Sequence, residues 1–510
     1  MTVEAGSSKR QLVPRWRGFD QTARLGELDH KGSKALSDRE VAEMDGLLGE
    51  WESFRGISVA AEVAGTALAL RQPERGREAA AYILNRRDSA IETEIELAHR
   101  VIGGDHPELK DPNAEDVDTD SARAAIHEQR WALHADFRNP IAWSEIARGY
   151  TVLGQEDKAK AAMRFAVLLA PDNRYILRSA ARMHIHQGDP ERAHSLVVRS
   201  ARTKADPWLI AVEIASADLA QHPPRFVRTA RRFLDEMSWD PRHLTELAAT
   251  LGTIELGAGH DRDARQYFRK ALIQANENSL AQVEWASQRT SGLDVTLAVQ
   301  ERPEAFEARA RSNLNGGLWT EAALNTWAWY YDQPFSSEAA ISGSYGTGVG
   351  GDFEQSVRFA DSGLRANPNN DALLNNAAFG LLQMNLPEAA RDYLDRVNIT
   401  NLKDQHLVVN VATRGLLEYR TGQVDAGRFL YLEAMNGANR YPWIQALAAI
   451  HLAMEEIRAN GPQADELGRL AARMSASIDE PAVKQWRGRL LEQLEHQPNQ
   501  SDGGHFGTER

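Results

Sequence analysis

The apolar residues of this chain fall in short helical bursts, and the bursts come in pairs. From Asn139 to Asn173 the chain reads NPIAWSEIARGYTVLGQEDKAKAAMRFAVLLAPDN. Counting from Pro140, large side chains stand at positions 4 (Trp143) and 11 (Tyr150), and small ones at 8 (Ala147), 20 (Ala159) and 27 (Ala166). The breaks fall at Gly154 and Pro171, positions 15 and 32. Apolar spacings of three and four within each burst predict two amphipathic helices. Alanine at 8 and 20 lets antiparallel helices approach closely, while large residues at 4, 11 and 24 fill the space around them. Gly154 turns the chain, and Pro171 ends the second helix.

The pattern returns along the chain. Gly188 and Ala193 lie 34 residues beyond Gly154 and Ala159, in a unit starting at Arg174. A unit near Thr245 places Leu251, Gly252, Gly259, Ala264, Phe268 and Ala271 in register. Another, at Pro303, places Phe306, Ala310, Gly317, Ala322 and Pro334. Pro368 follows Pro334 by 34 residues, which starts units at Ser337 and Asp371, and a degenerate unit begins near Val408. This recurrence closely resembles the tetratricopeptide repeat, a helix–turn–helix unit of about 34 residues. The resemblance implies an all-α fold, a tetratricopeptide-repeat right-handed superhelical solenoid of antiparallel helix pairs. It is specific over residues 121–275 and 303–455. The unit at Thr245 predicts later starts at 279 and 313, yet the next clear start is 303. A register break near 290–302 is therefore expected, dividing two blocks.

The expected organisation is a basic arm over 1–36, divergent helical repeats over 37–120, and a first repeat block over 121–290. A second block over 303–458 follows, then capping helices over 459–496, around Trp486, and a disordered tail over 497–510. The arm carries Arg10, Arg15, Arg17 and Arg24 around Trp16. Ser37 opens SDRE, which resembles a capping box, and Pro73 suits the first turn of a helix; four helices are expected before Gly104.

Composition narrows the function classes. With 510 residues one compact core is not expected, whereas an elongated array is. There is no cysteine, which excludes disulfides, cysteine-ligated metal and thiol catalysis in this chain. MTVEAGSSKRQLVPRWRGF lacks the apolar core of a signal peptide, and ISVAAEVAGTALAL is too short to span a bilayer and contains Glu62. A cytoplasmic, membrane-free protein is expected. The net charge of −13 disfavours general nucleic-acid binding.

No catalytic constellation stands out: there is no HExxH, Walker sequence or GxSxG elbow. The expectation is a non-enzyme with no cofactor and no metal. His184 and His186, two apart on a helix, face different sides. In DVDTD, Asp116, Asp118 and Asp120 resemble the start of a calcium loop, but Ser121 holds the glycine position and His127 the bidentate glutamate position. GSYGTGVGG (343–351) lacks the preceding strand and following lysine of a phosphate loop. By register it ends a first helix, which its glycines should fray, kink or shorten. The aromatic run WTEAALNTWAWYYDQPF is read mainly as core.

The family resemblance places ligand contacts on the first helix of each unit, at positions 2, 5, 9, 12 and 13. Arg148 in one unit and Arg178, Arg182 and His186 in the next then form a candidate basic groove for an acidic peptide or a carboxylate. Segment 174–242 holds 12 Lys or Arg against 8 Asp or Glu. In the second block, Arg311, Tyr345, Asn375, Asn376, Phe379 and Asn410 form a candidate peptide site, since an Asn amide both donates to and accepts from a peptide backbone. The resemblance implies a protein-binding scaffold or adaptor, a regulatory subunit beside an enzyme being one form. The alternative is a helical-repeat nucleic-acid binder using 174–242, with Arg225, Arg228, Arg231 and Arg232 on an outward stripe. A third is an enzyme built around groups such as Glu307 with Arg311.

Overall fold

The structure is a computed structural model that describes residues 10, 12–16, 38–69, 72–102, 119–236, 239–302, 304–402 and 404–496. Ser37 of the capping box, Arg17 and Arg24 of the arm, Asp116 and Asp118, and the tail from Gln497 lie outside the described residues. Among the described residues there are twenty-six α-helices and no strand. Four of them, Asp38–Ser53, Ile57–Ala69, Pro73–Leu84 and Glu92–Ile102, precede Gly104.

From Pro140 onward the helices form antiparallel pairs, each with a first and a second helix. Asn139, Asn173, Asp206, Asp240, Asn276 and Asn370 each precede a first helix and accept hydrogen bonds from its opening amides. Proline starts Pro140–Val152, Pro207–Leu219 and Pro241–Gly257, at the position where a missing N–H leaves no bond unmade. At the turn within each pair one residue takes a left-handed backbone. These residues are Gly154, Gly188, Gln221, Gly259, Gly292, Gly317, Gly351, Asn385, Gly422 and Asn460, with φ from 50 to 95°. Glycine enters this region without a Cβ clash, and Asn tolerates it better than most residues.

These turns measure the repeat directly. Gly154 and Gly188 are 34 residues apart, as are Gly317 and Gly351, but Gly292 and Gly317 are only 25 apart. The missing length is taken from a second helix, Thr296–Glu301, which has six residues. The register break is this shortened helix. Small residues set the approach of helices within a pair. In the degenerate unit a Cβ on Gly427 would lie 2.8 Å from the Gly415 carbonyl oxygen, and one on Gly415 would lie 3.1 Å from that of Gly427.

The glycine-rich stretch departs from expectation. Ser337–Gly350 is an unbroken helix of 14 residues, neither frayed nor shortened. Each interior glycine costs about 1 kcal/mol against alanine on propensity alone. Packing reverses that balance. Cβ atoms on Gly343, Gly346 and Gly350 would lie 2.4, 2.6 and 3.0 Å from the side chains of Phe359, Leu314 and Trp319. The bare backbone makes room for the protein's own side chains, and everything from Ala339 to Val349 is buried.

The chain divides into two compact units. One contains the described residues of the arm, the helices up to Arg311 and the segment Asn325–Ser336. The other contains Ser312–Leu324 and the helices from Ser337 onward. In the first unit, Ile210, Phe233, Leu247, Phe268 and Trp285 pack together, and Leu12 of the arm belongs to the same apolar cluster. In the second, Phe359, Phe379, Tyr431 and Trp486 are fully or nearly fully buried. Among the described residues no helix is long and apolar enough to cross a membrane.

Candidate functional site

In the first unit a short peptide lies on the face built by the first helices, and it is the chain's own arm. Residues 12–16 form neither helix nor strand. Pro14 explains why, since its ring and missing N–H block a helix through the preceding residues. The arm's main chain is held by side-chain amides. Gln282 Nε2 donates to the Arg10 carbonyl at 3.0 Å, and Asn278 Nδ2 to that of Val13 at 2.9 Å. Asn278 and Gln282 stand four apart on Glu277–Ser287, hence on one face. At Trp16, Gln333 Oε1 accepts from the amide at 3.4 Å, while Arg148 Nε donates to the carbonyl at 3.2 Å.

The arm's side chains meet charge and aromatic surface. Arg10 grips Glu307 with two nitrogens, at 2.7 and 2.9 Å, and also bonds Gln282 Oε1. Arg15 donates to Glu307 at 2.7 Å and to Asp332 at 2.8 Å. Arg311 reaches Glu307 from its own helix at 3.0 Å. Burial by itself raises the Glu307 pKa, but Arg10, Arg311 and Arg15 outweigh it and hold the carboxyl well below the usual range. Nearby Glu284 is pushed up to about 7 by burial, with Glu307 adding to the effect and Arg311 opposing it. Trp16 is 0% exposed and meets Phe335 edge to face at 5.8 Å. Phe335 is flanked by His186 at 5.3 Å and by the Arg182 guanidinium at 4.9 Å.

The candidate basic groove is therefore distributed. Arg148, Arg182 and His186 gather around Trp16 and Phe335. Arg178 does not join them. It is buried, donates to both carboxylate oxygens of Glu246 at 2.9 and 3.2 Å, and lies over Trp208. The carboxylates beneath the arm, Glu307 and Asp332, face its arginines and not an acidic ligand. Asn278, Gln282, Asp332, Gln333 and Phe335 are absent from the sequence-derived candidates. The register break obscured the unit holding Asn278 and Gln282, and Gln333 and Phe335 follow a second helix, where repeat register assigns no ligand contact.

The candidates of the second block also separate. Arg311 belongs to the first unit, bonded to Glu307 and lying 5.2 Å from the Trp329 ring. Tyr345, Asn375, Asn376, Phe379 and Asn410 lie in the second unit, and all are buried. Asn376 donates to Ser344 Oγ at 2.9 Å, Asn410 to Asn375 Oδ1 at 3.3 Å, and Arg414 to Asn410 Oδ1 at 3.0 Å. Of these, Phe379 packs against the helix Pro481–Glu495. Its Trp486 meets His451 at 4.4 Å, Phe379 at 6.1 Å and Phe353 at 6.5 Å. Burial drives the pKa of His451, beneath Trp486, well below its ordinary value.

The remaining candidates are dispersed. His184 and His186 do face different sides: His184 lines an outer cavity of about 550 Å³ with Phe165, Leu168 and Arg192, and burial lowers its pKa to about 4. Arg225, Arg228, Arg231 and Arg232 are exposed, and Arg231 pairs with Glu255 at 2.7 Å. Among the described residues no group of three His, Cys, Asp or Glu could hold a metal ion.

No protein-family model and no curated protein matches the chain. Among solved structures it is similar to yeast Tom70, with 14% identity over 74% of this chain and 93% of that one, at a TM-score of 0.29. A chain of the APC/C hetero-tetramer Cut9–Hcn1 shows 12% identity over 89% of this chain and 94% of its own, at 0.35. The TPR domain of P58(IPK) shows 13% identity over 72% and 98%, at 0.25. The helix pairs and their ten left-handed turns decide the fold. They make an all-α array of antiparallel helix pairs, the arrangement that the tetratricopeptide-repeat resemblance implies. Its first helices carry both the candidate residues and the segments that cover them.

Proposed function

We propose that this chain is a non-catalytic scaffold that binds a partner protein through a non-helical segment on the first-helix face of its first unit. One observation carries the reading: that face holds Arg10, Val13 and Trp16 by their main chain, through Gln282, Asn278, Gln333 and Arg148. Groups that grip carbonyls and amides do not depend on the ligand's side chains, so they suit any segment of the right backbone shape. Polar side chains aimed at main-chain atoms are a receptor's chemistry. A segment packed only for stability needs apolar contact alone, as Trp486 has with His451, Phe379 and Phe353.

The test is selection from a displayed peptide library on the full chain carrying Arg10→Ala and Arg15→Ala, which loosens the resident arm. Peptides are expected to be enriched, and their binding to be lost when Gln282→Ala and Asn278→Ala are added. A folded chain, verified by its thermal unfolding, that enriches no peptide, or whose binding survives loss of both amides, overturns the reading.

A further inference from the structure

We infer that residues 10–16 are an intramolecular ligand, and that the partner segment displacing them carries the same chemistry: two arginines five residues apart, a proline between them and an aromatic residue directly after the second. The inference rests on the proposed binding face and adds the identity of what it reads. The face is complementary to this combination along its length, with Glu307 shared by both arginines. At one end, Glu307 receives Arg10 through paired nitrogens, with Gln282 and Asn278 taking further guanidinium donors. In the middle, Pro14 is buried and has no N–H that would need a partner there. At the other end, Arg15 bridges Glu307 and Asp332, and Trp16 is wholly enclosed against Phe335.

Charge makes the occupant exchangeable rather than optional. With the arm in place, the buried carboxylate Glu307 and the partly buried Asp332 are met by Arg10, Arg15 and Arg311. With the arm gone, Glu307 loses Arg10 and Arg15 and keeps Arg311, and Asp332 loses Arg15. A buried carboxylate such as Glu307 that loses two of its cations is left under-compensated, so the vacated face selects a cationic replacement. An acidic or neutral peptide cannot supply it. Arg and Trp, the arm's enclosed side chains, are also the residues that most often dominate binding energy. The tethered arm competes at an effective concentration of about millimolar, so a free partner binds only weakly until the arm is loosened or the partner is itself abundant.

The probe is a fluorescein-labelled peptide with the sequence of residues 9–17, KRQLVPRWR, tested on the full-length chain by fluorescence anisotropy. It is expected to bind the chain carrying Trp16→Ala at least about ten-fold more tightly than the wild type, because that chain's own arm has lost its anchor. Adding Glu307→Gln and Asp332→Asn is expected to abolish binding. A scrambled peptide of the same composition is expected to bind no chain tightly. In case Trp16→Ala does not fold, hydrogen exchange on the wild type decides: exchange of residues 12–16 is expected to rise with the probe at millimolar concentration and not with the scrambled peptide. Equal binding of scrambled and native peptides, or arm exchange unaffected by the probe, overturns the inference. If the library selection above nevertheless enriches peptides without the two arginines, the binding face stands and only its assigned specificity falls. If neither experiment yields binding, both fall.

Discussion

The two units cover their first-helix faces in opposite ways. In the first, the cover is a stretch of arm held by side-chain amides, carboxylates and one enclosed tryptophan. In the second, it is a 15-residue helix, Pro481–Glu495, that lays Trp486 onto Phe379 and His451. Both covers belong to the chain, yet their physics differs. The arm's hydrogen bonds and ion pairs can be replaced by those of another segment of the same chemistry, so exchanging it costs little beyond the burial of Trp16 and Leu12. The helix contributes apolar surface that has no good alternative in water. The same repeat thus yields one face built for exchange and one sealed as core.

The largest test of this contrast is a pair of tryptophan truncations. Trp486→Ala is expected to destabilise the protein by about 3–5 kcal/mol, the range for a buried aromatic, read as a lower denaturant midpoint. Trp16→Ala is expected to cost well under half of that, because the arm leaves and the rest of the unit stays folded. Equal losses would mean that the arm is as integral as the helix.

Glu307→Ala comes next. It leaves Arg10 and Arg15 without their shared carboxylate, a loss worth about 3–5 kcal/mol if all the groups stay buried. Because the arm can escape to water, the expected result is release of the arm at a smaller global cost of about 1–2 kcal/mol. Fast amide exchange at residues 12–16 with a nearly unchanged unfolding midpoint would show it. A full cooperative loss of stability would contradict it.

The third test uses pH. Burial pushes Glu284 up to about 7 in the folded chain. A raised carboxyl pKa means that its contribution is fully present below the unfolded value near 4.5 and is lost as pH rises through about 7. Glu307 is depressed and has the opposite sign: its contribution is present above the ordinary carboxylate range and is lost as pH falls. Glu284→Gln is therefore expected to stabilise the protein at pH 8 relative to pH 5, by at most about 3 kcal/mol. Thermal unfolding of both chains at the two pH values checks this, and a parallel pH dependence would refute it.

The smallest effects come from two glycines of the second unit. Gly488 on the covering helix is exposed and has nothing within 4 Å of a built Cβ, so Gly488→Ala is expected to stabilise by up to about 1 kcal/mol. Gly343→Ala gains the same propensity but drives a methyl into Phe359 at 2.4 Å, and a net loss of about 1–2 kcal/mol is expected. Denaturant midpoints should move in opposite directions. A stabilising Gly343→Ala would mean that the glycine-rich helix is loose after all.

The arm shows where reading by period stops. Its arginines and Trp16 were visible as a basic, aromatic cluster without period, but nothing in a local pattern joins Arg10 to Glu307 across 297 residues. Glu307 and Arg311 were visible as neighbours on one helix, whereas Asp332, Gln333 and Phe335 acquire meaning only when the arm arrives. Arg178 illustrates the converse. Its helical stripe with Arg182 and His186 was real, but Glu246, far along the chain, claimed it as an internal ion pair.

The sequence by itself determined the repeat. A small residue where helices cross, a glycine or asparagine at most of the left-handed turns and an asparagine or aspartate before six of the first helices are local steric and hydrogen-bonding demands, and local demands leave a period in the chain. Tertiary structure decided which faces are open. That depends on long-range pairing between the arm, the covering helix and surfaces hundreds of residues away. It also held the glycine-rich stretch helical, because the burial of Phe359, Leu314 and Trp319 against bare backbone outweighs a propensity that the sequence alone reads as a break.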